Sequence, residues 1–368
     1  MTFFLWLIKR VIHEHSAPVT LRQVRRILVL DPNYIGDMLL SSPVYKALKQ
    51  NLPDAEVDAL VYPFTKEILH ANPFIDHIHY LPKGNLFQQR PILTSLRKKR
   101  FDLVLQLNTS LRTNFLLWLI GGRYRLGYDY RNRGCFNNIR IPIPTRTAQT
   151  QYRVDECLEL LEKALGWDAA PREMILQVPG EQKLKASQLL DEHGITAKDV
   201  LVGIQANCRD TWMERKWEQS KFSDLANELI EKYAVKVVFT GSQDDLTYVT
   251  PIISGIKRKR NVVNLVGKTT LMELAALLQR IDIFVTVNTG PMQIAVSQRT
   301  PTIALMGVTP PRVTYPMNVP IFQYIWLNDI STSPQPSVDP RDSTRMSLIE
   351  VRHVMEKVDF LMRMLKKI

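Results

Sequence analysis

The stretch Ile27–Pro43 (ILVLDPNYIGDMLLSSP) changes its hydrophobic period midway, and that change decides the fold. Arg26–Asp31 (RILVLD) is an unbroken apolar run between charged residues, the pattern of a strand buried on both faces. A helix over 36–50 is predicted to follow. Gly36 permits a tight turn between the two, and Asp37 falls where the helix begins.

The same alternation extends in both directions from this point. Glu56–Val61, His77–Leu81 and Asp102–Leu107 read as further strands, with helices near 64–71 and 91–99. A second series follows, with strands at Val200–Ala206, Val235–Thr240, Ile283–Val287 and Thr302–Met306 and helices near 218–232, 270–279 and 290–298. Continuous apolar strands alternating with helices predict an α/β chain of two parallel sheets, each covered on both faces. The seam is expected near Trp167–Gly180, where Pro171, Pro179 and Gly180 interrupt the pattern. The expected division is 1–175, 176–345 and a terminal amphipathic helix within 346–368, after a Ser/Pro-rich loop, that packs back across the N-terminal unit.

A length of 368 residues suits two domains, and 45% apolar with 23% charged residues suits a folded protein. The formal charge of +12 predicts an acidic partner: nucleic acid, an anionic membrane surface or a phosphorylated substrate. Cys135, Cys157 and Cys208 lie far apart, without zinc spacing, which fits a reducing, cytoplasmic compartment. No segment reaches the roughly 20 apolar residues that span a bilayer. The opening Met1–Arg10 has its charges after its apolar run, the wrong order for a signal peptide. It fits either a short interfacial helix or one packed on its own protein.

Several chemistries lack their signatures. No GxGxxG follows a strand, and Gly267-Lys268-Thr269 is not a P-loop because Val262 stands where the earlier glycine belongs. There is no GxSxG elbow. Neither an Asp-x-Asp motif nor a His/carboxylate cluster is visible, so no metal is expected. No RNP, KH or helix-turn-helix signature supports nucleic acid as the partner.

Three segments together resemble glycosyltransferase family 9, the ADP-heptose:lipopolysaccharide heptosyltransferases. They are Ile27–Pro43; Gly203–Asn207 with Lys216, Trp217 and Phe222; and Val287–Ala295 (VNTGPMQIA) followed by Thr300–Gly307. The resemblance covers nearly the whole chain after residue 25. It implies a GT-B architecture, two Rossmann-like domains facing a central cleft. It further implies an inverting, metal-independent transfer of a sugar from a nucleotide donor, ADP-heptose in most of the family, to an anionic lipopolysaccharide inner core. No cofactor is implied beyond that co-substrate. An enzyme of this kind works at the cytoplasmic face of the inner membrane, peripherally attached.

Within the resemblance, Asp37 matches the family's catalytic aspartate. The residues alone leave it either a base for the acceptor hydroxyl or a plain helix cap. Lys216 matches the lysine that meets donor phosphate, with Arg215 as a competitor. Thr289 and Gly290 open a helix whose amides suit an anion, Pro291 needs no N–H there, and Asn207 joins the same pocket. Asn288 and Gln293 stand where the family commonly has Asp and His. Both can still hydrogen-bond a donor, but neither brings charge. These two departures suggest an alternative, a non-catalytic homologue or one with another donor. Arg112, Arg123, Arg125 and Arg131 lie in an arginine-rich stretch suited to an acceptor bearing phosphates and carboxylates.

Overall fold

The computed structural model describes residues 23–367 except 71, 144–150, 170, 209, 308 and 331–343, with main chain only at 210–212 and 344–345. The expected Met1–Arg10 helix and most of the Ser/Pro-rich loop lie outside the described residues.

The chain divides into two compact units, Met1–Gln177 and Val178–Ile368. The N-terminal unit carries β1 (Arg26–Leu30), β2 (Glu56–Val61), β3 (His77–Tyr80), β4 (Leu103–Gln106), β5 (Tyr124–Asp129) and β6 (Ile139–Pro142). Its helices of seven residues or more are α1 (Ile35–Ser41), α2 (Pro43–Asn51), α3 (Leu86–Lys98), α4 (Leu111–Ile120) and α5 (Arg153–Leu165). The C-terminal unit carries β7 (Leu201–Gln205), β8 (Lys236–Phe239), β9 (Val262–Asn264), β10 (Ile283–Val287), β11 (Thr302–Met306) and β12 (Phe322–Trp326). Its longer helices are α6 (Gly180–Glu192), α7 (Gln219–Tyr233), α8 (Leu246–Ser254), α9 (Leu271–Leu278), α10 (Gly290–Ser297) and α11 (Val351–Met364).

The two sheets repeat one topology. The first runs β3-β2-β1-β4-β5-β6 and the second β9-β8-β7-β10-β11-β12, each parallel throughout. In each, the first strand is central and the order reverses beside it. The connections leaving β1 and β4, and those leaving β7 and β10, therefore diverge and open a crevice at the carboxyl ends. The central strands are apolar because both faces are covered: Ile27–Leu30 and Ile283–Val287 are fully buried.

Two expectations change. The helix over 36–50 is two helices, α1 and α2, broken at Ser42, because Pro43 has no N–H to continue the ladder and instead opens the second helix. The terminal helix α11, expected to pack back across the N-terminal unit, packs on the core of the C-terminal unit. Its apolar stripe of Val354, Val358 and Leu361 joins a core with Phe222, Leu225 and Leu229 of α7. Lys232 of α7 fixes it with a 2.8 Å ion pair to Asp359, and Trp217 Nε1 donates at 2.8 Å to Ile349 O just before it. The apolar stripes of these two amphipathic helices thus share one core within the C-terminal unit.

Candidate functional site

In the N-terminal unit the crevice lies between β1 and β4. Asp31 follows β1 directly and is fully buried. It accepts from Ser41 Oγ and, at 2.5 Å, from Asn33 Nδ2. Burial pushes its carboxyl up to about 6, against the lowering effect of those two donors and of Arg153. Asp37 is half-buried in the first turn of α1, where the helix dipole favours its charge. That charge acts on both Asp31 and Arg153. Arg153, the first residue of α5, reaches the end of β4 by donating to Leu107 O and pairs with Glu156 at 2.7 Å. A cation is thus built in beside two carboxylates at the switch point. Neighbouring Cys157 is no nucleophile, because burial pushes its thiol up to about 12.

An aromatic ledge flanks this point at the same sheet edge. Tyr34 follows β1, Tyr62 and Phe64 follow β2, and Lys83 follows β3. Tyr62 stacks on Phe64 at 5.7 Å, Tyr34 tilts against Phe64 at 6.0 Å, and the Lys83 ammonium sits 4.8 Å from the Phe64 ring centre. Such rings suit the apolar faces of sugars.

The four arginines do not form one group. Arg112 opens α4 after β4 and Arg131 follows β5, so both sit at the carboxyl edge with Asp37 and both are exposed. Arg112 donates to Gly84 O at 2.5 Å, and Arg131 lies 5.2 Å from the Tyr130 ring centre. Arg123 precedes β5, at the opposite end of a parallel sheet, and donates to Gln23 Oε1 at 2.8 Å. Arg125 is 6% exposed and donates to Phe136 O at 3.1 Å and Gly122 O at 3.2 Å. Placing Arg123 and Arg125 with the acceptor is therefore corrected: the first faces the wrong edge, and the second is committed to main-chain carbonyls inside the unit.

In the C-terminal unit the crevice lies between β7 and β10. Asn207 and the short turn Asp210–Arg215 follow β7, and Asn288, Thr289 and Gly290 follow β10. Arg215 joins the two sides, with Nη1 donating at 3.0 Å to Asn288 O and Nε lying 3.2 Å from buried Glu214 Oε1. Gly307, at the end of β11, makes room for that turn: a Cβ there would stand 2.5 Å from Glu214 O. Lys216 turns toward the β8 side, its Nζ 5.1 Å from the Tyr248 ring centre. Asn207 Nδ2 also faces that side, donating at 2.8 Å to Asp245 Oδ1.

α10 starts at Gly290 with Pro291 in its first turn. The Thr289 side chain does not cap it; its hydroxyl donates to Val287 O at 3.3 Å. No side chain caps this helix N-terminus, a condition that suits an anion, although Pro291 has no N–H and Met292 N already donates to Thr289 O at 3.1 Å. Asn288 is buried, as is Gln293, whose Nε2 donates to Thr314 O at 2.5 Å. Through Nε2, Gln293 anchors the Pro311–Thr314 turn, while its buried Oε1 has no hydrogen-bond partner among the described residues.

Sequence reasoning missed Asp31, the role of Arg153 and the aromatic ledge. Asp31 carried a signal, an acid directly after a buried strand; Arg153 carried none, since α5 lies 46 residues from Leu107. The sequence also shows no His/carboxylate cluster, yet the fold assembles one from β2 and β3, with Glu56, Asp58 and His77 offering ligand atoms within 4.8 Å of one another. It sits at the amino end of the sheet, away from Asp37. Among the described residues no helix is long and apolar enough to cross a membrane.

Known proteins resemble this chain over most of its length. The profile of glycosyltransferase family 9 (heptosyltransferase) matches residues 90–338. A lipopolysaccharide heptosyltransferase 3 of Escherichia coli is 28% identical over 343 residues, covering 89% of this chain and 96% of the relative. Lipopolysaccharide heptosyltransferase 2 of E. coli K12 is 24% identical, covering 80% and 86%. Among solved structures, a family 9 glycosyltransferase from Veillonella parvula superposes with a TM-score of 0.78 at 22% identity, covering 92% and 97%. E. coli heptosyltransferase WaaC with ADP gives 0.66 at 18%, covering 91% and 97%. At these identities the structural likeness shows the shared two-domain fold.

Proposed function

We propose, from the premise that this chain belongs to glycosyltransferase family 9, that it transfers heptose from ADP-heptose to the phosphorylated inner core of lipopolysaccharide, with inversion and without a metal. The observation that carries the reading is the crevice of the C-terminal unit, where Arg215 ties the β7 turn to an uncapped helix N-terminus at Thr289–Gly290. That is a diphosphate site in chemical terms. Solved relatives described as holding ADP and ADP-2-deoxy-2-fluoro heptose support the choice of donor.

In this reading an acceptor hydroxyl attacks the anomeric carbon of the donor as its bond to the diphosphate oxygen breaks. Asp37 takes the hydroxyl proton. The charge that develops on the leaving ADP is met by Arg215 and the amino end of α10, and by Lys216 once it leaves the Tyr248 ring. The Arg153 charge acts on Asp37 and favours a negative group there. Arg112, Arg131, Lys83 and the ledge of Tyr34 and Phe64 receive the acceptor's anionic groups and sugar faces. The +12 charge favours attachment to the anionic inner face of the inner membrane.

The test is a thermal-shift screen of ADP-, GDP-, UDP- and CMP-sugars, followed by product analysis with a Kdo-bearing lipid acceptor. ADP-heptose is expected to raise the melting temperature and to be consumed. Stabilisation by another sugar nucleotide alone would assign a different donor, an outcome the uncharged Asn288 makes worth including. Binding without turnover would make the chain a non-catalytic homologue.

A further inference from the structure

The amino end of the N-terminal sheet holds a second group of ionisable side chains. Glu56 and Asp58 stand two apart on β2 and so leave the same face of the sheet. Asp58 is paired in register with His77 of β3, which brings His77 and His79 to that face as well. Lys99 arrives from the end of α3. His77 Nε2 is 3.0 Å from Glu56 Oε1, while His79 Nε2 and Lys99 Nζ each lie 2.7 Å from Asp58 Oδ2.

Ion pairing does not account for all of this. Asp58 is fully buried, and its Oδ1 has no hydrogen-bond partner among the described residues. A buried carboxylate oxygen without a donor is costly. Glu56, Asp58 and His77 each offer a ligand atom within 4.8 Å of the other two. His77 also lines a pocket of about 410 Å³, together with His70, His79 and Lys99.

The geometry points to a divalent transition-metal site of the Zn²⁺ class, formed by Glu56, Asp58 and His77 with water completing the coordination. Two carboxylates and an imidazole are a mixed oxygen and nitrogen set that suits such a metal. Bound through both oxygens of Asp58, the ion would also give Oδ1 the partner it lacks. Lys99 stands in the metal's place, 2.7 Å from Asp58 Oδ2 and 3.8 Å from Glu56 Oε1. Its flexible stem and partly exposed position let it swing out when a doubly charged ion enters. Bound there, the metal would fasten edge strand β3 to β2. The site is independent of the transfer reaction, because Asp37 lies at the other end of the same sheet.

The whole chain, stripped with a chelator, would be titrated with ZnCl₂ by calorimetry and with Co²⁺ by visible absorption. One equivalent should bind per chain and raise the melting temperature. His77→Ala and Glu56→Gln, both at partly exposed positions, should each weaken binding by at least about tenfold, since even outer partners of a metal site cost that much. Their metal-free melting temperatures should stay near that of the parent. Lys99→Met removes the competing ammonium and should tighten binding. No binding, or binding of equal affinity in His77→Ala and Glu56→Gln, would overturn the assignment.

Discussion

Arg215 Nη1 donates to the main-chain oxygen of Asn288 at 3.0 Å, joining the loops that leave β7 and β10. The two residues are 73 positions apart, and their bond spans the switch point of the second sheet. A charged donor to a carbonyl contributes about 1.5–3 kcal/mol. Arg215→Ala should therefore lower kcat/KM for the donor by roughly tenfold or more. Steady-state kinetics at varied donor concentration checks this; an unchanged kcat/KM would detach Arg215 from the site.

Asp37→Asn keeps shape and removes the base. Turnover should fall by about 10²–10⁴, the usual worth of general-base catalysis. Donor affinity, read by thermal shift, should be retained. A variant with full turnover would remove Asp37 from the mechanism.

Lys216→Met should cost a few kcal/mol of barrier, or about 10²–10³ in kcat, if the ammonium meets charge that grows on the diphosphate. Since Lys216 now lies over Tyr248, it must leave that ring to act. A loss confined to KM would show that it holds the donor equally before and during the reaction.

Asp31 sets a pH dependence of stability. Its folded pKa of about 6 lies above the ordinary 3.8, so the folded state holds this proton more tightly than the unfolded chain. The resulting stabilisation is fully present below about pH 4 and lost as pH rises through about 6. A difference near two units corresponds to about 3 kcal/mol, as an order of magnitude. Asp31→Asn should consequently be more stable than the parent at pH 8 and no more stable at pH 4. Melting curves at the two pH values decide it.

Arg125→Ala should act on stability and not on the acceptor. Losing its bonds to Phe136 O and Gly122 O inside the unit should cost about 1–3 kcal/mol. Arg131→Ala should leave the melting temperature alone and raise acceptor KM. The reverse pattern would restore Arg125 to the acceptor set.

The central strands were legible because a parallel strand buried on both faces is apolar over most of its length: Ile27–Leu30, Leu201–Ile204 and Ile283–Val285 needed no partner to be recognised. The less regular strands were not. β5 (YRLGYD) carries a buried arginine and a glycine, and Arg125 is tolerated there only because carbonyls elsewhere in the unit accept its protons. β12, on the sheet edge, is only partly buried and lacks an unbroken apolar run.

What the sequence determined by itself was local: where backbone period changes from strand to helix, and hence that Asp37, Lys216 and Thr289–Gly290 each follow a strand. Period and turn chemistry are properties of a few adjacent residues, and they survive without tertiary context. The tertiary structure decided what stands together. It set Arg153 beside Asp37, sent Arg215 rather than Lys216 to Asn288, buried Arg125 and Gln293, and gave the last helix to the C-terminal unit. Those outcomes depend on strand order and on which side chains compete for the same carbonyls, and neither is encoded within reach of a single turn or strand.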